Sequence, residues 1–265
     1  MPVAARAHAK INLDLRVLGT RADGFHDLEA LTVSTTAPHD EVLLEAADAP
    51  RVRVSGPFAA GVPTDDTNLV RRALQLLDRT MSVDLTKGIP SGAGLGGGSA
   101  DAAAVLAALG GTVEDAAALG SDVPFCLHRL PAWMRGRGEV IEPIDDLAPL
   151  DLVVVAPPFA CSTHAVYRAW DTLGGPRSER SIDAPPGVPG PFVNDLEPAA
   201  ETVEPRLAEF RRHLEAVVER PAWLCGSGSA YAAWFTDAAA AAAAAQRAQE
   251  AFGVERAWVA RTLHD

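Results

Sequence analysis

Apolar and polar positions alternate through "VAARAHAKINLDLRVLG", then again through "HDEVLLEA" and "RVRVSG", and this period of two predicts paired strands punctuated by Gly and Pro. In "DDTNLVRRALQLLDRT" the period changes. Leu69, Leu74, Leu76 and Leu77 follow an Asp and a Thr, which predicts a capped helix. "VDLTKGIP" reads as a strand that runs into "IPSGAGLGGGSADAAA", and "SADAAAVLAALGG" as the helix leaving it, stopped by Gly110 and Gly111. "AWMRGRGEVIEPI" predicts a hairpin. The polar, Pro-containing "EPIDDLAPLD" reads as a connection, so a boundary is expected between residues 1–147 and 148–265. Beyond it come the strand "LVVVAPP", the helix "STHAVYRAW", a Gly/Pro-rich loop from Gly174 to Pro191 and helices between Asp195 and Glu219. "AWLCGSGSAYAAWF", a helix of eight alanines capped by Asp237, and a last strand "RAWVARTL" complete the chain. Strands and helices alternate without the even spacing of a doubly wound sheet, so the expected class is α+β.

Composition narrows the function more than the fold. The 265 residues suffice for one large or two ordinary domains, and 48% hydrophobic with 22% charged residues is ordinary for a globular protein. No apolar run is long enough to span a bilayer and the N-terminus lacks the apolar core of a signal peptide, so a cytoplasmic protein without a membrane partner is expected. Cys126, Cys161 and Cys225 are few, distant and odd in number, which argues for buried thiols and against a disulfide framework or a zinc site. A net charge of −12 argues against nucleic acid as a partner. Any anionic ligand must then be held locally, by backbone amides, a few cations or a divalent metal.

The glycine loop is the candidate for that work. Gly92, Gly94 and Gly97 satisfy G-x-G-x-x-G, which alone is weak evidence for a dinucleotide site. A nicotinamide oxidoreductase would need an apolar strand before the turn and an acidic residue ending the next strand; here the preceding strand is polar and Glu114 and Asp115 fall in a helical stretch. The Walker pattern fails too, because Gly98 rather than Lys precedes Ser99. A helix that starts directly after small residues nevertheless leaves several N–H groups aimed at one point, and that is an anion site.

Pro90, Gly94, Leu95, Gly96, Ser99 and Ala100 resemble the phosphate-loop pattern P-x-x-x-G-L-G-x-S-[SA] of the GHMP kinase superfamily. "AKINLDLRVLGTRADGFHDLEAL" (Ala9 to Leu31) is similar to the N-terminal signature of the branch acting on 4-diphosphocytidyl-2-C-methyl-D-erythritol, and "LCGSGSAYAAWF" to the superfamily's third motif. "GSDVPFCL" and "FVNDLEP" extend the resemblance across nearly the whole chain. It implies a two-domain α+β fold, an N-terminal ATP-binding domain and a ferredoxin-like C-terminal substrate-binding domain, with the active site in the cleft between them. It further implies phosphorylation of the substrate's 2-hydroxyl by ATP with Mg²⁺.

Carried onto this chain, the resemblance makes Asp122 the base and Lys10 its cationic neighbour; read alone, Asp122 is equally a turn or cap residue and Lys10 a solvent-facing strand residue. Asn12, two residues on, shares a strand face with Lys10 and becomes a substrate contact. Ser99 is a helix cap, a Mg²⁺ ligand or both. Asn68 and Lys87 line the adenine pocket; Pro90, Gly92, Gly94, Leu95, Gly96, Gly97, Gly98 and Ser99 cradle the phosphates. Phe25, where the family usually has Tyr, and Phe192 sandwich the cytosine, and His26 reads its edge. Gly226, Ser227 and Gly228 turn against phosphates, and Thr163 contacts substrate or caps the following helix. The stretch from Ser99 to Asp122 is shorter than the family pattern, which implies a trimmed helix and leaves monomer and homodimer open. A homoserine or mevalonate kinase, and a non-catalytic nucleotide-binding regulator on the same scaffold, are the alternative readings.

Overall fold

A computed structural model describes residues 2–145, 147–175, 190 and 192–264. Most of the Gly/Pro-rich loop expected between Gly174 and Pro191 therefore lies outside the described residues. The chain builds two sheets. The first has the order β3-β4-β2-β5-β6, with β1 paired to β2, from β1 (Val3–Thr20), β2 (His26–Ala46), β3 (Arg51–Ser55), β4 (Met81–Thr86), β5 (Ala132–Gly136) and β6 (Val140–Pro143). Only β3 and β4 run parallel among these pairs, and the crossover between them carries α1 (Leu69–Leu76). Between β4 and β5 lie α2 (Gly97–Leu109), α3 (Val113–Leu119) and α4 (Val123–His128). The segment expected to be trimmed thus holds the two-turn α3, closed at its start by a Thr112–Asp115 capping box.

The second sheet, order β10-β7-β9-β8, is antiparallel throughout: β7 (Asp151–Val155), β8 (Ala222–Leu224), β9 (Tyr231–Phe235) and β10 (Ala257–Arg261). With it go α5 (Thr163–Thr172), α6 (Glu197–Val203), α7 (Arg206–Val218) and α8 (Ala238–Phe252), the alanine helix, which Asp237 does cap through its bond from Ala240 N. The chain passes from one sheet to the other between Pro143 and Asp151. The sheets are also joined where Leu15 bonds to Val193 and Asp195, and where Leu263 N donates to Ser34 O. No described helix is long and apolar enough to cross a membrane, and the three cysteines are buried and free.

Helix α2 is apolar on every side and is buried accordingly, with Ala100, Ala102, Ala103, Val105 and Leu106 inside. Three expected caps are corrected. Asn68, not the preceding Asp or Thr, caps α1, and its Oδ1 accepts from Val70 N. Ser99 does not cap α2: Gly96 occupies that position at φ +71°, which places Ser99 inside the first turn. Thr163 does not cap α5, because Ser162 does. Asp122 sits at the start of α4 yet makes no side-chain cap bond, so its carboxylate is left for other work.

Candidate active site

The placement of Lys10 and Asn12 begins with two irregularities in β1. Its register against β2 shifts between His8 and Lys10 and again between Asn12 and Asp14. The first leaves residues 35–38 of β2 facing only Ala9 and the second leaves Leu13 unmatched, and such bulges turn the following side chains to the other face. Ala7, Leu15 and Val17 accordingly pack into one apolar cluster, while Ala9, Ile11 and Leu13, of the same parity, pack into the other. Between the bulges it is therefore the even residues, Lys10 and Asn12, that face α2 and α4. Lys10 N is bonded to Leu95 O of the glycine loop at 3.0 Å, and Asn12 N to Cys225 O at 2.9 Å. Asn12 Oδ1 accepts from Thr32, its cross-strand partner, at 3.0 Å. Lys10 Nζ ends 3.5 Å from Asp122 Oδ2; the ammonium is nearly buried while the carboxylate is more than one third exposed.

The glycines of the loop have two different reasons for being glycine. A Cβ on Gly92 would meet Ala160 Cβ at 2.6 Å, and one on Gly94 would meet Gly228 N at 2.5 Å. A Cβ on Gly228 would collide with Gly94 N and Ala93 C, and one on Gly226 would lie 2.6 Å from Gly94 O. Gly94, Gly226 and Gly228 are small because the loop and the turn 226–228 pack backbone on backbone, stitched by Ser229 N and Ala230 N to Ala93 O, while Asn194 Nδ2 holds the turn through Leu224 O and Gly226 O. Gly96 makes room for the Lys10 stem, 2.8 Å from the would-be Cβ, and Gly97 for Ile89 at 3.0 Å. Gly98 is exposed with nothing nearer than 4.0 Å. Pro90 and Leu95 are buried supports. No side chain caps the start of α2, so the amides of its first turn are available to an anion.

Lys10, Asn12, Ser99 and Asp122 line one end of a cleft of about 640 Å³. Its walls hold Phe25, His26, Thr163 and Ser227 of the expected residues, with the first sheet on one side and α5 and the turn 226–228 on the other. Phe25 is 49% exposed, with the Arg137 guanidinium 4.8 Å from its ring centroid. The His26 ring stacks on Tyr167 and its Nε2–H donates to Asp171 at 2.9 Å. Thr163 and Ser227 share a hydroxyl–hydroxyl bond of 2.9 Å. Phe192 packs against Trp223, ring centroids 4.6 Å apart, at the edge of the second apolar cluster. Residue-by-residue reading missed Arg137, Tyr167, Arg168 and Asp171. The last three had a signal, since residues 163, 164, 167, 168 and 171 recur at helical spacing and form one face of α5.

Asn68 and Lys87 also differ from expectation. Both ends of the Asn68 amide are engaged within the chain, since Nδ2 donates to Pro63 O at 2.7 Å and Oδ1 caps α1. Lys87 is buried between Asp40 and Asp101, its Nζ donating to both carboxylates. Burial opposes its charge, but the two carboxylates outweigh burial and hold the ammonium above its ordinary pKa. One cation between two anions leaves a negative charge over, and burial pushes the Asp101 carboxyl up to about 7. Asp40 Oδ1 in turn accepts from Gly88 N and Ile89 N, the entry to the glycine loop.

Residues 68–129, which span α1 to α4 and the glycine loop, match the family model described as GHMP kinases N terminal domain. The chain is 37% identical over 255 residues, 93% of either chain, to 4-diphosphocytidyl-2-C-methyl-D-erythritol kinase of Paracoccus denitrificans. It is 41% identical over 234 residues, 78% of this chain and 80% of the relative, to the enzyme of that name from Parvibaculum lavamentivorans. A crystal structure of 4-(cytidine 5'-diphospho)-2C-methyl-D-erythritol kinase superposes with a TM-score of 0.76 at 32% identity, covering 98% of this chain and 99% of that one. The two sheets, the glycine loop at the head of α2 and the cleft beside it are thus the architecture of an ATP-using small-molecule kinase, and the chain belongs to the 4-diphosphocytidyl-2-C-methyl-D-erythritol kinase family of the GHMP kinases.

Proposed function

We propose that the protein transfers the γ-phosphoryl group of ATP to the 2-hydroxyl of 4-diphosphocytidyl-2-C-methyl-D-erythritol, a step of non-mevalonate isoprenoid biosynthesis in the cytoplasm. The observation that carries this reading is the Lys10–Asp122 pair, 3.5 Å apart in the cleft beside the uncapped start of α2. Asp122 Oδ2 takes the proton of the attacking hydroxyl. Lys10, tied to the loop through its backbone and kept in place by the space above Gly96, supports the negative charge that grows during transfer. The first-turn amides of α2 receive phosphate oxygens. Gly98, the loop glycine with open space above it, is where a phosphate approaches closest.

At the other end of the cleft Phe25 offers a ring face to the cytosine, and His26 offers a polar edge. Stacking of this kind contributes about 1–3 kcal/mol per base. Residues 1–147 hold the ATP loop and much of the cytidine pocket, and residues 148–265 close the pocket with α5 and the 226–228 turn. No group of three His, Cys, Asp or Glu side chains able to hold a metal exists among the described residues, whereas the Ser99 hydroxyl lines the cleft. That donor set suits Mg²⁺ held by nucleotide phosphates with Ser99 as its protein ligand. When bound there, the ion neutralises phosphate charge.

The test is ADP release from ATP and Mg²⁺ by the purified protein, with the cytidine diphosphate substrate compared against homoserine and mevalonate. Turnover with the cytidine substrate alone is expected; equal or greater turnover with either of the others would overturn the substrate assignment.

A further inference from the structure

The ring of His26 is held more firmly than cleft lining requires. Its side chain is only 8% exposed. One face stacks on Tyr167, centroids 4.8 Å apart and planes 28° apart, and Trp170 makes a T-shaped contact with the ring at 5.5 Å and 88°. Those contacts fix the ring plane but not which nitrogen bears the proton. Asp171 supplies that second constraint. Its Oδ1 lies 2.9 Å from His26 Nε2 and also accepts from Thr20 Oγ1 at 3.0 Å. Thr20 and His26 are cross-strand partners at the turn end of the β1–β2 hairpin, so strand pairing brings both donors to one carboxylate oxygen at the last turn of α5. An ionised carboxylate only accepts, so Nε2 must carry the hydrogen; in the neutral ring Nδ1 is then an acceptor.

We propose that Asp171 is a positioning residue for base specificity, which fixes His26 as the Nε2–H tautomer so that Nδ1 presents a lone pair to the exocyclic amino group of cytosine. The inference rests on the reading of this cleft as the cytidine pocket. A cytosine bound in this pose donates from its amino group to Nδ1. A uracil in the same pose brings a carbonyl oxygen to the same lone pair, and two acceptors face each other unpaired. Without the carboxylate both tautomers become accessible, and the ring donates or accepts with little preference. Nothing in the aromatic packing alone distinguishes the two bases.

The test uses the full-length protein and two nucleotides, CDP and UDP, titrated calorimetrically into the wild type, Asp171→Asn and Asp171→Glu. The wild type is expected to prefer CDP, Asp171→Asn to lose about tenfold of that preference, and Asp171→Glu to restore part of it. With the complete substrate, the loss in Asp171→Asn should appear in KM more than in kcat. Nitrogen NMR of the His26 ring reads the tautomer directly: Nε2–H in the wild type, a mixture in Asp171→Asn. An unchanged CDP:UDP ratio in Asp171→Asn, or an unchanged tautomer, overturns the role of Asp171 while leaving the pocket assignment standing. A wild type that binds neither nucleotide, or both alike, removes the pocket assignment and this inference with it.

Discussion

A 3.5 Å ion pair between residues 112 positions apart in sequence, Lys10 and Asp122, is the smallest unit of the proposed catalytic centre. If Asp122 accepts the hydroxyl proton and Lys10 stabilises the forming charge, Asp122→Asn and Lys10→Ala should each lower kcat by at least about 100-fold. Both should leave the melting temperature close to wild type, since Asp122 makes no cap bond and Lys10 projects into a cleft. Turnover within tenfold of wild type in either variant would show that the pair is not the reacting centre. The pairing of Lys10 with Asn12 was legible in the sequence from their i, i+2 spacing. Their direction was not, because it depends on two bulges set by how far β2 slips against β1. The partners of Asn68 and Lys87 were not legible for a related reason. Whether an amide or an ammonium is free for a ligand depends on Pro63, Asp40 and Asp101, and no local pattern brings those to it.

At the scale of elements, the glycine loop and the 226–228 turn behave as one unit although more than 120 residues separate them. Gly228→Ala must push the Ala93–Gly94 backbone aside, and such overpacking costs about 1–3 kcal/mol. Gly98→Ala meets only open space in the first turn of a helix, where alanine is favoured. Thermal melts of the two variants should therefore part, Gly228→Ala falling by several degrees and Gly98→Ala holding. Equal melting temperatures would mean that the loops are not packed in this way. Secondary structure was largely readable because α2 and α8 announce themselves through alanine content and a capping aspartate, and because alternation marks the strands. Two of the misplaced caps lay within one to three residues of the true ones. Ser99 and Thr163 are good caps by type, but α2 starts earlier, at the left-handed Gly96, and Ser162 reaches the extended cap angles before Thr163.

For the whole molecule, buried carboxyls give a pH signature. Burial pushes Glu197 up to about 7 against the pull of Arg211, 2.9 Å away, and pushes Asp101 to about the same value. Carboxyls in the unfolded chain titrate near 4. Between about pH 4 and 7 the folded state therefore holds protons that the unfolded state has released, and stability declines as pH rises. Urea midpoints should be higher at pH 5 than at pH 7.5, and Glu197→Gln should flatten the difference; a midpoint that rises over this range would contradict the burial of these charges. Local sequence determined the phosphate loop, the helix after it, the α+β class and the family, because each is written in contiguous residues whose conformational preferences act over a few positions. Tertiary structure alone decided which way Lys10 faces, that Phe192 packs on Trp223, that Lys87 is enclosed by two carboxylates, and that Asp171 meets His26. Those outcomes depend on strand slip and on packing between distant segments, where the free energy belongs to the contact and not to either partner.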